Sequence, residues 1–551
     1  MATATAAAPE VFVRKSSGLV RVMSPSSAFV YNVLTMGLIF PWTYLWAPGA
    51  LPGGRLVEGI LLAMILEIPI ALAYVWLSTA LPRSGGDYVF QSRVLGGGIA
   101  FTIVMSGFVI WILQWVALSG WLLSYLGFAP LFLGLGATLQ NQGLLDAAAW
   151  FTSADGIIVV SIANAFVALV ILASGFKNYV RLQRVMWIAT LVAFATMLVV
   201  LLTTTAANVP GQLNAFSSSV GGASDFYDTA VAATLAAGID LNPPFSLLAT
   251  LLVAPIAWTS LQWATYSSQQ NGEIKDARSF KNQAFIIVGS LIATGLLLAL
   301  LAFALERAVG SEFLYVAGAG YWSGVGEATM NGFWLWPNII AVALSASPIV
   351  VLLISFGFIM NGHQIVHNCY IGMTRVMVAM SLDRLLPEWV SRVSDRFHTP
   401  VNAHVVYFIA SIPVIWLYNT FTYGEGDNVT TWTSLTLGVT FACGYVFVAT
   451  ALAGALLPFR AKGVYEASPG SKYTLAGYPL ITIVGILGFI AGTIFLILFL
   501  TNEQLGLTSQ LAYTVVGGIL VFSALWYIVT KMVRRSGGVN VEYAFKEIPP
   551  E

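Results

Sequence analysis

Two stretches of this chain place polar and helix-breaking residues inside otherwise apolar sequence. The first contains Thr35-Met36-Gly37, and the second contains Pro255 followed by the polar run from Thr259 to Gln262. Unwound backbone at membrane depth persists only where it is buried in protein or lines a cavity. Its free N–H groups suit a carboxylate and its free carbonyl groups suit a cation. The two stretches are therefore candidates for binding a solute that carries both charges.

The composition indicates that a lipid bilayer surrounds the helices that position these stretches. The 551 residues are 58% hydrophobic and 9% charged, with a mean hydropathy of +0.83, whereas soluble domains average about 25% charged residues. A transmembrane helix needs about 20 apolar residues. We therefore predict an all-α integral membrane protein with twelve transmembrane helices, called spans 1 to 12, at 26–50, 56–81, 98–127, 155–175, 184–206, 246–268, 282–305, 335–361, 400–418, 432–457, 478–500 and 509–531.

The distribution of basic residues predicts the orientation in the membrane. With a cytoplasmic amino terminus, all of the 24 Lys and Arg except Arg55 and Arg307 fall on the cytoplasmic side, as expected for short loops that resist translocation. We therefore expect a cell-membrane protein with cytoplasmic tails at 1–25 and 532–551 and an outer loop at 207–245. The net charge of zero argues against a nucleic-acid partner.

The spacing of the two breaks predicts an internal repeat. They lie in spans 1 and 6, so residues 26–206 and 246–458 would be two copies of five spans each, with residues 459–531 adding spans 11 and 12 after a cytoplasmic loop. An odd number of spans per copy makes the second copy inverted, which is the LeuT-like arrangement in which discontinuous helices 1 and 6 meet near the midplane. An ordinary proline kink at Pro255 is the alternative interpretation of the second break.

Four motifs in register resemble those of the amino acid–polyamine–organocation superfamily, in particular its archaeal and bacterial amino acid permeases. Residues 82–90 read PRSGGDYVF, 374–387 read TRVMVAMSLDRLLP, 272–275 read GEIK and 175–177 read GFK. The resemblance extends over nearly the whole chain. It implies a secondary transporter that moves amino acids by alternating access, with no enzymatic activity. A polyamine or other organic-cation carrier and an amino acid exchanger are the alternatives, and a channel is a further one. The four histidines form no catalytic set.

The resemblance also assigns roles to residues at the breaks. It implies that the N–H groups of Thr35, Met36 and Gly37 bind the carboxylate and that the carbonyls of Val33, Trp258 and Leu261 bind the amine, with the Trp258 ring covering the substrate. The remaining candidates at the second break are Thr259 and Gln262. Further cavity candidates, for which packing is an equal explanation, are Gln114, Trp115, Trp263 and Tyr266.

Two of these positions depart from the family pattern. Thr35-Met36 replaces smaller residues, and Gln262 stands where a glycine is usual. An interhelical hydrogen bond without a ligand role is the alternative for Gln262. The identity of the amino acid therefore does not carry over from the family.

The coupling ion could be H⁺ or Na⁺, and we expect no other cofactor. Glu67 lies near the centre of span 2, where an ionised carboxylate costs about 2.5–3.5 kcal/mol, and it is the candidate proton carrier; a structural hydrogen bond is the alternative. Hydroxyls of Ser345 and Ser347 in span 8 are candidate sodium ligands. His363 and His367 are one helical turn apart but have no third ligand, so we expect no metal site. The oligomeric state is left open.

Overall fold

The structure, a computed structural model, describes residues 18–39, 43–423, 428–505, 507–508 and 510–546, with side chains described outside 421–437. Pro41 and most of the amino-terminal tail lie outside the described residues, as do residues 547–551 of the carboxyl-terminal tail. Eleven helices in the described part are long and apolar enough to cross a membrane. They are Leu56–Ala80, Gly97–Leu139, Ala154–Ala173, Phe176–Thr203, Leu247–Glu273, Phe280–Trp322, Pro348–Leu382, Val401–Thr420, Gly438–Arg460, Leu480–Thr501 and Gln510–Ser536.

Short elements connect these helices. The helices are Gly86–Val94, Gln142–Thr152, Val209–Ser219, Phe226–Ala236, Pro337–Ser345 and Lys462–Glu466, and a two-stranded antiparallel hairpin pairs Thr474–Leu475 with Tyr478–Pro479. Single 3₁₀ turns lie at Ala206–Asn208, Gly326–Ala328, Glu388–Ser391, Glu503–Leu505 and Val541–Lys546. The expected outer loop at 207–245 thus contains two helices of its own.

Span 1 is broken, as the sequence predicts. Its first half, Pro25–Met36, begins with Ser24, whose side chain accepts the Ser27 N–H, and ends at Gly37 with φ 72°. A positive φ suits glycine because it has no Cβ. The second half is Thr43–Ala50. Each half is shorter than a membrane-spanning helix, which is why span 1 is absent from the eleven long helices.

Span 6 changes helix type at the predicted position. It is α-helical from Leu247 to Leu261 and 3₁₀-helical from Gln262 to Glu273, with non-helical dihedral angles at Gln270. Every residue of the 3₁₀ segment is buried. Runs of 3₁₀ helix longer than a few residues are uncommon because their hydrogen bonds have poorer geometry. The second half of span 6 is therefore held by its neighbours rather than by its own backbone.

Three helices differ from the predicted boundaries. Span 3 continues to Leu139 through two π-helical segments, and span 7 continues to Trp322 across Gly310, whose φ is 81°. Span 8 runs Pro348–Leu382 rather than 335–361. The separate helix Pro337–Ser345 precedes span 8. Because this helix is also apolar, hydropathy alone does not distinguish it from the first half of the span.

The outer faces of the long helices are apolar. Large hydrophobic side chains are more than half exposed on several of them, including Ile188, Val199, Leu247, Phe303 and Val521. Soluble monomers rarely leave such contiguous apolar surface in water. These faces fit a bilayer, and the fold is that of a multi-pass, all-α membrane protein.

Candidate functional site

The first half of span 1 packs against the 3₁₀ half of span 6. The ring of Tyr31 stacks on that of Tyr266 with centroids 6.2 Å apart. Asn32 Oδ1 accepts the Ser267 N–H at 2.9 Å, and Asn32 Nδ2 donates to the Ile286 carbonyl at 3.1 Å. A buried amide side chain thus replaces backbone partners that the irregular helix lacks, and the two broken helices lie side by side.

A small cavity of about 20 Å³ lies beside this contact. It is lined by Thr35, Ile112, Trp115, Trp263, Tyr266, Ile365, Asn368 and Cys369. A space of roughly 10–15 Å³ holds one water molecule, so the cavity in this conformation is large enough for a water molecule but too small for an amino acid. No charged side chain is among its lining residues.

Span 8 holds the end of the first half of span 1. Asn361 Nδ2 donates to the Leu34 carbonyl at 3.2 Å. Asn368 Nδ2 donates to Thr35 Oγ1, while Asn368 Oδ1 accepts from the Tyr179 hydroxyl at 2.7 Å. Thr35 Oγ1 in turn donates to the Tyr31 carbonyl at 2.6 Å. These bonds fix Thr35 at the wall of the cavity.

The three N–H groups that the resemblance assigns to the carboxylate lie at the end of the first half of span 1. Those of Thr35 and Met36 fall inside the half-helix, and the Gly37 N–H donates to the Leu34 carbonyl at 3.2 Å. The Val33 carbonyl belongs to the last turn of the same half-helix. The carboxyl-terminal end of a helix carries partial negative charge, which suits a cation.

Trp258 is turned away from the cavity. Its indole is fully buried, lies 4.9 Å from the Phe495 ring between centroids, and donates from Nε1 to Glu67 Oε2 at 2.6 Å. The tryptophan of span 6 that lines the cavity is Trp263. A substrate in this cavity would therefore contact Trp263, and the Trp258 ring instead joins span 6 to span 2.

The other predicted residues of span 6 are buried at the change of helix type. Thr259 Oγ1 donates to the Ile256 carbonyl, and the Thr259 carbonyl accepts from Trp263 Nε1 at 2.9 Å. Leu261 is fully buried. Neither amide atom of Gln262 has a hydrogen-bond partner within the described residues, so the alternative of an interhelical bond is not what the structure places there.

Aromatic donors face one another around the cavity. The rings of Trp115 and Trp263 meet edge to face at 5.6 Å, and those of Trp263 and Tyr266 at 5.2 Å. Trp115 Nε1 and the Tyr266 hydroxyl are buried without a partner in the described structure, and so is Nε2 of neighbouring Gln114. An unsatisfied buried donor costs about 1–3 kcal/mol, which a ligand acceptor would recover.

The coupling candidates lie in different places. Glu67 is fully buried, and its Oε1 has no partner in the described structure. Ser345 Oγ donates to the Val342 carbonyl at 3.1 Å and lies against Thr203 and Thr204 at the end of span 5. Ser347 precedes the first turn of span 8. The two serines are thus at the ends of helices and are not among the residues around the break of span 1.

The histidine pair is packed inside the protein. His363 Nδ1 is 2.6 Å from Asn164 Oδ1, and His367 Nδ1 is 2.8 Å from the His363 carbonyl. Among the described residues there is no group of three or more metal-ligating side chains. Each ring thus has a hydrogen-bond partner at Nδ1 within the helix bundle.

Four cavity residues were not predicted: Ile112, Ile365, Asn368 and Cys369. The sequence carries a signal for Asn368, because Asn361, Gln364 and Asn368 form a polar stripe at helical spacing in apolar sequence. Gln364 and Asn368 lie beyond the predicted end of span 8 at residue 361, whereas the helix continues to Leu382.

Comparison with known proteins identifies the family. The sequence profile of a family described as amino acid permease matches residues 26–522, which is most of the chain. The chain belongs to the amino acid permease family. The recognised superfamily resemblance is confirmed.

A second comparison is confined to a short stretch. "Uncharacterized protein 399" of Sulfolobus islandicus rod-shaped virus 1 is 33% identical over 78 residues, which is 14% of this permease and 20% of the relative. The chain thus spans about a fifth of that relative's length, and nothing about activity follows from the match.

Proposed function

We propose that this permease is a secondary transporter that carries amino acids across the cell membrane by alternating access, through a site where the breaks of spans 1 and 6 meet. The observation that carries the proposal is the cavity between the two broken helices, lined by Thr35 from one and by Trp263 and Tyr266 from the other. Backbone N–H groups at the break of span 1 suit the substrate carboxylate, and the carbonyl groups at the end of its first half, including that of Val33, suit the amine.

The proposed topology has twelve spans, with spans 1–5 and 6–10 as an inverted repeat and both termini in the cytoplasm. It is supported by eleven long helices together with the two half-helices of span 1 and by the basic residues on one side. Because the cavity holds no more than a water molecule in this conformation, alternating access would require the surrounding helices to separate before the substrate binds.

The lining of the cavity favours amino acids over polyamines. A polyamine carries several positive charges, which require carboxylates in a dry site, and the cavity lining holds none. An amino acid needs only backbone groups for its two charges and a neutral surface for its side chain. Whether transport is uptake or exchange depends on coupling, for which Glu67 is one candidate.

Uptake into proteoliposomes tests this function. The full-length protein is reconstituted and supplied with a mixture of radiolabelled L-amino acids, then with each one singly. Saturable uptake that unlabelled amino acid competes away supports the permease. Uptake of labelled putrescine but of no amino acid would establish the organic-cation alternative, and flux that does not saturate would indicate a channel.

Replacing residues of the cavity tests the site. Trp263→Ala widens the cavity, so we expect weaker binding and altered preference among substrates. The matched control is Trp150→Ala, which removes a tryptophan that is 44% exposed and distant in sequence from both breaks. Equal kinetics for the two variants would move the substrate site elsewhere.

A further inference from the structure

Asp87 is a buried carboxylate without a cationic partner. It lies in the short helix Gly86–Val94, between spans 2 and 3, and is fully buried. The described ion pairs join Glu273 to Arg375, Asp383 to Arg93, and two exposed acids to lysines, and Asp87 is in none of them. Burying an unpaired charge is costly unless hydrogen bonds or a proton compensate.

Three neutral donors surround this carboxylate, each from a different span. Oδ1 accepts from the Tyr74 hydroxyl of span 2 and, at 2.5 Å, from Thr450 Oγ1 of span 10. Oδ2 accepts from Gln269 Nε2, in the 3₁₀ half of span 6. Gln91 Nε2 donates to Thr450 Oγ1 at 2.9 Å and so orients that hydroxyl toward Asp87. The three donors thus form a hydrogen-bonding site around the two carboxylate oxygens of Asp87.

The contact with span 6 is close. The Gly85 N–H donates to the Gln269 carbonyl at 2.8 Å, and a Cβ on Gly86 would lie 2.6 Å from Gln269 Oε1. The second half of span 6 therefore rests directly on the helix that carries Asp87. If that half of span 6 moves away, the carboxylate loses a donor and gains water.

We propose that Asp87 is a coupling-proton site, occupied while the second half of span 6 is seated on it and emptied when the cytoplasmic side opens. The proposal rests on the transport function proposed above and adds the ion that drives it. The site is distinct from Glu67, which contacts the first half of span 6 through Trp258.

The linkage between proton binding at Asp87 and opening of the cytoplasmic side determines in which state the proton is released. Burial raises the pKa of Asp87 to about 6, although the hydrogen bonds from Thr450, Tyr74 and Gln269 act to lower it. In water an aspartate has a pKa of about 3.9. The closed arrangement therefore binds the proton more tightly than an opened, hydrated one, and opening releases it to the cytoplasm. Proton release is then tied to release of the substrate.

Other ionisable groups near Asp87 do not supply the missing charge. Tyr74 on span 2 and Cys443 on span 10 interact with it electrostatically, and both are neutral groups at physiological pH. On the packed ends of spans 6 and 8, Glu273 is bonded to Arg375, and Asp383 to Arg93 on the Asp87 helix itself. Glu67 also interacts electrostatically with Tyr74, so the Glu67→Gln variant separates its contribution from that of Asp87.

Labelling of Cys369 tests the proposal without knowledge of the substrate. Cys369 lines the central cavity, and Cys443 is replaced by serine to leave a single thiol. Inside-out vesicles containing the full-length protein are treated with a water-soluble maleimide. Rates are divided by those of the denatured protein at each pH, which removes the intrinsic pH dependence of the thiol.

We expect the corrected labelling rate to rise about tenfold from pH 5 to pH 8, because one proton is bound with a pKa of about 6 when closed and about 4 when open. Asp87→Asn, which cannot ionise, should give a low rate at every pH. Glu67→Gln is the matched control and should keep the rise. A pH curve for Asp87→Asn like that of the parent, or a flat parent curve, would overturn the proposal.

Two further measurements guard against a folding defect and against confusion with transport itself. Thr450→Val removes one donor to the ionised form of Asp87, so the rise in labelling rate should move to higher pH rather than disappear.

With the labelled amino acid mixture, Asp87→Asn should exchange internal for external amino acid but fail to accumulate it under an inward proton gradient. Loss of both exchange and accumulation in the parent protein would contradict the transport function and leave the labelling result to decide the proton site.

Discussion

Four buried carboxylates around span 6 fall into two groups. Glu273 and Asp383 each receive a two-pronged arginine contact, from Arg375 at 2.7 and 2.9 Å and from Arg93 at 2.8 and 3.1 Å. Glu67 and Asp87 receive only neutral donors. A bidentate guanidinium compensates the charge of a buried carboxylate, so the first group joins neighbouring helices. The second group has no compensating cation in the described structure.

The two groups also contact different parts of span 6. The paired Glu273 ends the second half of the span, where Arg375 anchors it to span 8. The unpaired acids contact side chains on either side of the change in helix type, at Trp258 and at Gln269. The paired Glu273 thus lies at the end of span 6, whereas the two unpaired acids contact the span on either side of the change in helix type.

The largest expected effect comes from breaking a charged pair. Arg375→Ala leaves Glu273 buried without its counter-ion and removes a guanidinium that lies 4.9 Å from the Phe176 ring. Breaking a buried pair from one side costs about 3–5 kcal/mol. We expect a strong fall in the thermal unfolding temperature of the purified protein. An unchanged unfolding temperature would show that the pair between Glu273 and Arg375 does not stabilise the fold.

Replacing the unpaired acid Asp87 should change stability by a smaller amount. At neutral pH the replacement should stabilise the protein, whereas Arg375→Ala destabilises it. The pKa of Asp87 is higher in the folded protein than in water, so the folded state gains stability relative to Asp87→Asn as the pH falls from 6 towards 4. Above pH 6 the wild type carries a penalty of roughly 2–3 kcal/mol. Unfolding temperatures of both proteins at pH 4.5 and pH 8 measure it. A difference independent of pH would show that Asp87 does not titrate in this range.

Removing the Trp258 N–H, the neutral donor to the other unpaired acid Glu67, should have an intermediate effect on stability. Trp258→Phe keeps the ring against Phe495 but removes the N–H that Glu67 accepts, so both carboxyl oxygens are left without a partner in the described structure. The expected cost is about 1–2 kcal/mol. Combining it with Glu67→Gln in a double-mutant cycle isolates the pair, and additive effects would indicate that the bond contributes nothing.

The smallest effect is expected at an exposed pair. Lys462 and Glu466 lie 3.7 Å apart with side chains 74% and 61% exposed. Because solvent screens such pairs, Lys462→Ala should change the unfolding temperature by no more than a surface substitution does, within about 0.5 kcal/mol. A loss comparable to that of Arg375→Ala would remove the distinction between buried and exposed pairs.

The positions of the breaks could be predicted because local sequence sets them. Gly37 tolerates a positive φ, and the polar run that ends at Gln262 coincides with the change to 3₁₀ helix. The direction of the Trp258 ring could not, because it depends on Glu67 from another span. The start of span 8 was misplaced because Pro337–Ser345 is as apolar as a membrane helix, and hydropathy does not separate two helices that adjoin in sequence.

The role of Asp87 could not be read from its motif either. Its neighbours Gly85 and Gly86 indicate a tight turn, and an aspartate in a turn is usually solvated. Only the tertiary fold brings Tyr74, Gln269 and Thr450, which are up to 363 positions away, around the carboxylate. Burial and the absence of a cation are properties of that arrangement and leave no local signal.

A short backbone pairing before span 1 has a mechanical consequence. The Met23 N–H donates to the Glu273 carbonyl at 3.0 Å, and the Lys275 N–H donates to the Met23 carbonyl at 2.9 Å. This parallel bridge couples the start of the first half of span 1 to the end of the second half of span 6, although 250 residues separate them in sequence. We therefore expect the two segments to move together, so that spectroscopic labels at exposed Ser26 and Arg278 keep a constant separation throughout the transport cycle.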